Sequence, residues 1–392
     1  MQLTNGAAIH IATPPPLSLY VHLPWCIQKC PYCDFNSHEL RGDLPEARYI
    51  EALISDLESA LPWIWGRRVR SVFFGGGTPS LLSERGMNEC LDAIRARLPL
   101  VPEAEITLEA NPGTFERARF EAYRRAGINR LSVGIQSFND THLKVLGRIH
   151  DADAARRAVE IAAHHFDNFN LDLMYGLPEQ TLAQALADVD TALSFKPTHL
   201  SCYQLTLEPN TPFHHAPPAL PDHDRAAEMG DAIQARVIEA GFDHYETSAF
   251  ARPSFRCAHN LNYWTFGDYL GIGAGAHGKL SFQDRIVRQM RHKHPEAYMK
   301  AVAQGNAIQE SHEVATEAVP FEFMMNALRL RDGVPAALFE ERTGVSLLRI
   351  VPTLDEVEAL GLIQRDWQWI RPTPLGQQFL NELLQHFLPE GP

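Results

Sequence analysis

Six short apolar segments alternate with longer amphipathic segments over residues 17–240, and this alternation limits the possible folds more than any other feature. The strand-like segments are 17–24, 69–74, 105–110, 130–135, 168–175 and 199–207. The helix-like segments that follow them are 45–61, 83–98, 115–126, 151–165, 179–194 and 222–240. Apolar strands separated by helices predict a parallel sheet with both faces covered. The sequence therefore predicts an α/β fold, either an open barrel of the TIM type or a doubly wound sheet.

Polar and glycine-rich residues stand where the predicted strands end. The first strand runs into a group of cysteines, and Gly75–Gly77 with Thr78 follow the second. Glu109 ends the third strand, the amide of Gln136 follows the fourth, and Asp172 lies within the fifth. The carboxyl ends of parallel strands meet at one edge of a sheet, where function usually collects. We therefore expect these residues to share one site.

The rest of the chain is predicted to form a lead-in and two C-terminal parts. Residues 1–16 end in three prolines and are expected to be a flexible lead-in. The pattern breaks down from residue 241, and 241–294 is interpreted as an extension of the barrel. Residues 295–392 predict a smaller, mainly helical domain that resembles a winged helix, with a hairpin near 362–372. Packing against the barrel, rather than DNA binding, is its expected role.

Composition and charge exclude several functional classes. The chain has 392 residues, 45% of them hydrophobic, which is enough for a large core. Its formal net charge of −13 and its lack of a basic tract argue against general nucleic-acid binding. The N-terminus lacks the apolar segment of a secretory signal, and no apolar run approaches the roughly 20 residues of a membrane helix. A cytoplasmic protein without a transmembrane segment is expected.

Three of the six cysteines lie within eight residues, as Cys26-x3-Cys30-x2-Cys33. In a cytosolic protein such a group indicates metal binding rather than disulfides. Three thiolates leave one iron of a cubane cluster open, so that it can chelate a substrate or cofactor. A structural zinc site needs four ligands, and the remaining cysteines are isolated in the sequence: Cys90, Cys202 and Cys257. Three buried or zinc-bound cysteines are the alternative.

The cysteine motif, with Tyr32 between its last two cysteines, resembles that of the radical S-adenosylmethionine (radical SAM) superfamily. One branch, the oxygen-independent coproporphyrinogen III oxidase family and its relatives, is similar along nearly the whole chain. The similar segments are YVHLPWC before the cysteines, GGGTPS, EANP, GIQS, DLMYGLP, YQLTLEPNTP and GIGAGAHG. The resemblance implies a partial (β/α)6 TIM-type barrel, a [4Fe–4S] cluster on Cys26, Cys30 and Cys33, and S-adenosylmethionine bound to the open iron. Reductive cleavage of this cofactor to a 5′-deoxyadenosyl radical is the chemistry of the superfamily.

The residues at the strand ends supply a candidate set for S-adenosylmethionine. Gly76 and Gly77 allow the backbone to approach a methionyl group, because glycine has no Cβ. Glu109 and Asp172 suit an ammonium or ribose hydroxyls, and a structural ion pair is the alternative for each. Arg148 suits a carboxylate, with a solvated position at a helix end as its alternative. The full set is Tyr20, Tyr32, Gly76, Gly77, Thr78, Glu109, Gln136, Arg148 and Asp172.

Two features distinguish subgroups within this branch. Coproporphyrinogen III oxidases resemble C-x3-C-x2-C-x-C, whereas Phe35 stands at the position of the fourth cysteine here. The segment HNLNYW at 259–264 resembles the H-N-x-x-Y-W signature of the HemW-type haem chaperones. That resemblance implies a protein that binds haem and passes it to acceptor proteins, respiratory enzymes among them. A coproporphyrinogen III oxidase and a radical enzyme with another substrate are the alternatives.

A haem site needs an apolar, aromatic-lined slot with a histidine or cysteine ligand, and residues 255–266 offer such side chains. The haem candidates are His259, Tyr263 and Trp264, with Cys257 and His277 as weaker ones. The alternative for His259 is a packed, hydrogen-bonded side chain. The oligomeric state stays open, and a homodimer is one expected assembly.

Overall fold

The computed structural model describes residues 9–114 and 117–389, and most of its strands belong to one twelve-stranded mixed sheet. The strands are β1 Leu17–Leu23, β2 Trp25–Cys26, β3 His38–Glu39, β4 Val69–Gly76, β5 Leu100–Ala110, β6 Arg130–Gln136, β7 Phe169–Tyr175, β8 His199–Gln204, β9 Asp243–Glu246, β10 Ala249–Ala251, β11 Asp268–Ile272, β12 His277–Ser281, β13 Ile286–Arg291, β14 Ile308–Glu313, β15 Val334–Pro335, β16 Ile363–Arg365 and β17 Trp369–Pro372.

The helices cover the sheet and build the C-terminal part of the chain. They are α1 Glu46–Ile64, α2 Glu84–Arg97, α3 Arg117–Ala126, α4 Asp140–Val145, α5 Ala152–His165, α6 Leu182–Ser194, α7 Pro212–His215, α8 His223–Glu239, α9 Ala258–Trp264, α10 Pro295–Val302, α11 Val319–Ala327, α12 Ala337–Thr343, α13 Val351–Ala359, α14 Pro374–Gln378 and α15 Leu380–Gln385. Short 3-10 turns lie at Pro79–Leu81, Pro112–Thr114 and Leu347–Arg349.

The six predicted strands are β1, β4, β5, β6, β7 and β8, and they pair in parallel in this order. The sheet does not close on itself. Its full order is β14-β13-β12-β11-β1-β4-β5-β6-β7-β8-β10-β9, so β1 pairs with β11 and β8 with β10. The partial (β/α)6 barrel is confirmed. The parallel strand β11 next to β1 was not predicted from the sequence.

Local sequence explains where the barrel elements form. All seven residues of β6 are buried, as expected for an apolar strand inside a parallel sheet. Several helices begin at side chains that accept hydrogen bonds from free backbone N–H groups. Ser83 caps α2, Asp151 caps α5 and Thr181 forms a capping box with Gln184 at the start of α6. These caps fix the loops that lead back to the sheet.

The helix α9, which contains the HNLNYW segment, packs against the inner side of the barrel, on β1, β4 and β11. The Glu105 carboxylate on β5 accepts hydrogen bonds from the N–H groups of Ala258 and His259, at 3.1 Å each. Because Glu105 and its β4 neighbour Ser71 lie upstream of the strand ends, α9 is held toward the opposite end of the barrel from the cysteine loop.

The predicted domain boundary at residue 295 is wrong. The helix α10 packs against α1, and Tyr298 donates a hydrogen bond of 2.9 Å to the buried carboxylate of Asp56. The next strand, β14, pairs with β13 at the edge of the large sheet. Among the residues after 295, Val314 is the first that belongs to the second hydrophobic core. The boundary was misplaced because a helix that covers the barrel has the same sequence pattern as one in a separate domain.

The C-terminal part contains α11 to α15 around a small antiparallel sheet of order β15-β17-β16, in agreement with the predicted winged-helix pattern. The expected flexible lead-in is wrong for residues 9–16. Ile9 and Ile11 are buried in the C-terminal core, and the N–H of His10 donates to the carbonyl of Gly344 at 2.9 Å. The prolines obscured this apolar pair in the sequence, and residues 1–8 lie outside the described part.

Within the described ranges, no helix is long and apolar enough to cross a membrane.

Candidate metal centre and cofactor cavity

The three clustered cysteines lie on the segment after β1, with Cys26 at the end of β2 and the other two on the loop that follows it. All three are half-buried and form no disulfide. Arg148 donates to Sγ of Cys30 at 3.6 Å, and Sγ of Cys33 lies 3.9 Å from Oγ of Ser37. Burial raises the pKa of the Cys26 and Cys33 thiols. Metal binding would have to displace these protons, since thiolates are the ligands.

The donor set of this loop fits an iron–sulfur cluster. In the part of the chain that the structure describes, no three His, Cys, Asp or Glu side chains lie close enough together to hold a single metal ion. In a cubane cluster each thiolate binds a different iron atom, which requires a wider arrangement than one ion. Cys26, Cys30 and Cys33 line the same cavity, and all three offer soft sulfur donors.

The glycines after β4 connect this strand to the cysteine loop. Gly76 has φ +118°, in the region that favours glycine, and its N–H donates to Oε2 of Glu109 at 3.1 Å. The N–H of Gly77 donates to the Leu23 carbonyl at 2.7 Å, and a Cβ at Gly77 would collide with the Trp25 carbonyl. The glycines thus allow the backbone before Cys26 to pack directly on β4. This role adds to the one expected from the sequence, in which the glycine backbone comes close to a bound methionyl group.

Two of the carboxylates inside the barrel, Glu109 and Asp172, are half-buried and line the cavity. Burial, with the nearby charge of Asp172, raises the pKa of Glu109 to about 8. Asp172 accepts hydrogen bonds from Oγ of Ser132 at 3.1 Å and Nδ2 of Asn170 at 2.7 Å, and its pKa is also raised by burial. Neutral partners therefore hold Asp172, and Glu109 is a largely protonated group when the cavity holds no cation.

Arg148 and Gln136 occupy constrained positions in the same cavity. The Arg148 side chain is half-buried, and its guanidinium donates to the Gly134 carbonyl at 2.8 Å and to Oδ1 of Asn111. The alternative of a solvated arginine at a helix end is therefore wrong. Gln136 has φ +69°, which is rare for a residue with a side chain, and Tyr203 donates to its Oε1 at 2.6 Å. Such strain is typical of ligand sites.

The predicted cofactor residues line one cavity of about 720 Å³, within the range of ligand pockets. They are Tyr32, Gly76, Gly77, Thr78, Glu109, Gln136, Arg148 and Asp172, together with the three cysteines. Tyr20 does not line this cavity. It lines a second, adjoining cavity of about 360 Å³, which shares Phe35, Gly76 and Glu109 with the first.

Several cavity residues were missed by the sequence reasoning. Asn111 directly follows β5, and Tyr203 lies near the end of β8. The expectation that functional residues collect at the carboxyl ends of the strands, the strand-end rule, could have found both. Arg329 reaches the cavity from the C-terminal domain, stacks on Trp264 at 4.3 Å and pairs with Glu246 at 3.3 Å. No sequence signal predicts that contact, because it depends on how the domains pack.

The haem candidate His259 does not line either cavity. Its Nδ1 atom lies 2.9 Å from Oγ of Ser71 and its Nε2 atom 3.1 Å from the hydroxyl of Tyr263. The ring stacks on Phe73 with centroids 4.9 Å apart, and burial lowers its pKa to about 3. The structure therefore shows the packed alternative, and His259 in this arrangement has no nitrogen free for iron. Of the aromatic residues that suggested a haem slot, Phe266 belongs to the second hydrophobic core and Trp264 packs against that core.

The other haem candidates differ in their access to the cavities. Tyr263 lines the adjoining cavity, whereas Trp264 packs under the guanidinium of Arg329. Cys257 is buried and its Sγ donates to Oε1 of Glu105 at 3.5 Å, so it faces the barrel interior. The exposed side chain of His277, at the start of β12, lines the adjoining cavity.

Comparisons with known proteins agree with this arrangement. A model of the radical SAM superfamily matches residues 20–192, and a model of the HemN C-terminal domain matches residues 314–379. The radical SAM family implies a [4Fe–4S] cluster and S-adenosylmethionine, which the cysteine loop and the larger cavity fit. The start of the second match agrees with the domain boundary seen in the structure.

Full-length relatives are similar over almost the whole chain. The heme chaperone HemW of Escherichia coli is 50% identical over 378 residues, which cover 96% of this chain and 99% of the relative. HemW of Haemophilus influenzae is 48% identical over 383 residues, with the same coverage. Among solved structures, coproporphyrinogen III oxidase HemN of Escherichia coli superposes with a TM-score of 0.81, at 23% identity, over 95% of this chain and 90% of that one. The chain belongs to the HemW family, within the radical SAM superfamily.

Proposed function

We propose that this protein is a haem chaperone that carries a [4Fe–4S] cluster and S-adenosylmethionine and transfers haem to acceptor proteins. The observation that carries the proposal is the cavity that joins three thiols to the polar strand ends, in a chain that aligns with curated heme chaperones over 96% of its length. The resemblance adds respiratory enzymes as candidate acceptors. A homodimer remains one expected assembly.

Cys26, Cys30 and Cys33 would hold the cluster, with Arg148 beside Cys30 as a compensating cation. When bound, the cluster supplies electrons and one iron that has no protein ligand. The neighbouring groups suit the methionyl end of the cofactor. Glu109 suits its ammonium, and Gly76 and Gly77 offer backbone at close range.

Gln136 and Asp172 line the same cavity and suit the ribose hydroxyls, because both can accept hydrogen bonds. Tyr32, between the last two cysteines, has its pKa raised by burial and stays a neutral phenol. It closes one side of the cavity, where it contacts Phe213 on the neighbouring loop. Thr78 receives a hydrogen bond of 3.0 Å from Asn111 and so holds the loop after β4 against β5.

The second candidate function is coproporphyrinogen III oxidation, which the fold alone would allow. Phe35, at the position of the fourth cysteine of those enzymes, lies at the junction of the two cavities with 59% of its surface exposed. An aromatic side chain there offers an apolar contact and no thiol chemistry. This favours binding of a flat apolar ligand over decarboxylation.

Anaerobic reconstitution with iron and sulfide, followed by two assays on one sample, tests the proposal. Haem titration followed by absorbance is expected to show saturable binding, and coproporphyrinogen III is expected to remain unconverted in the presence of S-adenosylmethionine and a reductant. Conversion of coproporphyrinogen without haem binding would favour the second candidate. Transfer of the bound haem to a haem-free acceptor then distinguishes a chaperone from a protein that only stores haem.

A further inference from the structure

The adjoining cavity, lined by residues of β1, α9, β11 and the cysteine loop, has the chemistry of a porphyrin site. Its walls include Tyr20, Tyr263 and Tyr269, and Phe35 stands at its opening. Tyr263 and Tyr269 contact each other edge to face with centroids 4.5 Å apart, which fixes one wall. Aromatic walls are typical of sites for flat apolar ligands, and the polar side chains besides the tyrosines on this lining are His22, Asn36, Glu109 and His277.

Two histidines line this cavity, and only one of them has ring nitrogens without a hydrogen-bond partner in the described part of the chain. His22 is fully used, because its Nδ1 lies 3.0 Å from the hydroxyl of Tyr20 and its Nε2 lies 2.9 Å from the Asn36 carbonyl. His277 is exposed, and burial of part of its ring together with nearby Lys293 and Arg288 lowers its pKa. A neutral imidazole is the form that binds iron.

Cations stand around the opening although the chain as a whole is acidic. Nζ of Lys29 donates to the carbonyls of Phe35 at 3.3 Å and Ser37 at 3.2 Å, which places an ammonium next to Phe35. Lys293 is exposed and lies close enough to His277 to lower the pKa of that histidine. Glu310 is near enough to raise it. Two lysines on the rim suit the two propionates of a haem, whose charges would be repelled by an acidic surface.

We propose that haem binds in this adjoining cavity with the imidazole of His277 as an axial ligand of its iron. The proposal rests on the haem-chaperone function proposed above and gives that function a location. It differs from the expectation drawn from the HNLNYW segment, whose histidine is buried and doubly hydrogen-bonded. In this arrangement α9 contributes Tyr263 as a wall, and Phe35 separates the haem from the cluster cavity.

The test compares haem binding by the cluster-loaded wild type with that of His277→Ala and His223→Ala. His223 is exposed at the start of α8, away from both cavities, and is the matched control. The Ala variant at 277 is expected to shift the Soret band and to bind haem about tenfold or more weakly, as for lost metal ligation. The control is expected to match the wild type, and both variants should retain their iron and sulfide.

Rescue distinguishes ligation from a structural effect. His277→Gly is expected to regain the wild-type Soret position when free imidazole is added, and His277→Cys to show a thiolate-type spectrum. Haem binding by the wild type with an unchanged Soret band and affinity in His277→Ala would overturn the His277 site while the chaperone function stands. Failure of the wild type to bind haem at all would overturn both.

Discussion

Nδ1 of His259 lies 2.9 Å from Oγ of Ser71, and this contact joins the helix α9 to the inner face of β4. Ser71 in turn donates to Oγ of Ser18 at 2.7 Å on β1. The histidine of the HNLNYW segment thus belongs to a buried hydrogen-bond chain that links α9 to two barrel strands. Its burial and its two partners indicate a structural role in holding α9 inside the barrel.

We expect His259→Ala to lower the free energy of unfolding by about 2–4 kcal/mol, because it leaves a cavity and removes partners from buried hydroxyls. Chemical denaturation of the cluster-loaded protein measures this change. His223→Ala, on an exposed helix start, is expected to have almost no effect and serves as control. A His259→Ala protein that is as stable as the wild type but unable to bind haem would instead support direct ligation by His259.

The cysteine assignment predicts that three thiols, and no others, are needed for the cluster. Substitution of Cys26, Cys30 or Cys33 by serine is expected to abolish a stable [4Fe–4S] cluster after anaerobic reconstitution, because serine replaces a soft ligand by a hard one. Iron and sulfide content with Mössbauer spectroscopy measures the result. Cys90→Ala is the control, since Cys90 is buried in the core away from the cavity and is expected to leave the cluster intact.

The sequence predicts those parts of the fold whose pattern is local. The strands β1, β6 and β7 lie within a residue or two of their predicted positions, because apolar strands in a parallel sheet form unbroken runs. The strands β11 to β14 were not predicted. The glycine-rich segment that holds β11 and the start of β12 has little apolar pattern, and the pairing of β11 with β1 joins distant parts of the chain.

The sequence predicted most of the site residues that stand at the carboxyl ends of the parallel strands. The strand-end rule brought Glu109, Gln136 and Asp172 together with the cysteine loop, and the structure places them in one cavity. The positions of His259 and Arg329 depend on packing between elements far apart in sequence. A histidine among aromatic residues has the same sequence pattern in a core as in a haem slot, so only the structure distinguishes them.

Gly77 is expected to be intolerant of even a methyl group. A Cβ there would collide with the Trp25 carbonyl, so Gly77→Ala must displace the backbone that leads into Cys26. We expect affinity for S-adenosylmethionine to fall by about tenfold or more, because small displacements in a site are costly. Equilibrium dialysis with the cluster-loaded protein measures this. Gly305→Ala is the control, because it strains the backbone at φ +76° away from both cavities and its Cβ meets no atom within 4 Å. Equal losses in both variants would mean that the effect is general destabilisation.

The raised pKa of Glu109 predicts a pH-dependent affinity for S-adenosylmethionine. Burial and Asp172 place this pKa at about 8 in the free protein, so the carboxyl is mostly protonated at neutral pH. An ammonium next to Glu109 favours the ionised carboxylate, and binding below this pKa must therefore release a proton. The affinity is expected to rise between about pH 6.5 and 7.5, by at most about tenfold per pH unit, and to fall above about pH 8, where the free ligand's own ammonium loses its proton.

Equilibrium dialysis of the cluster-loaded protein across this pH range measures the dependence on Glu109. Glu109→Gln, which keeps the shape of the side chain and has no titrating proton, is expected to bind more weakly and to lose this rise. Glu103→Gln is the control, because Glu103 is exposed on the same strand, β5, away from both cavities. A rise of the same size in Glu109→Gln would assign the titration to another group. An affinity that falls between about pH 6.5 and 7.5 in the wild type would contradict contact between the Glu109 carboxylate and the ammonium, since below both pKa values the sign follows directly from which form of the carboxyl binds a cation.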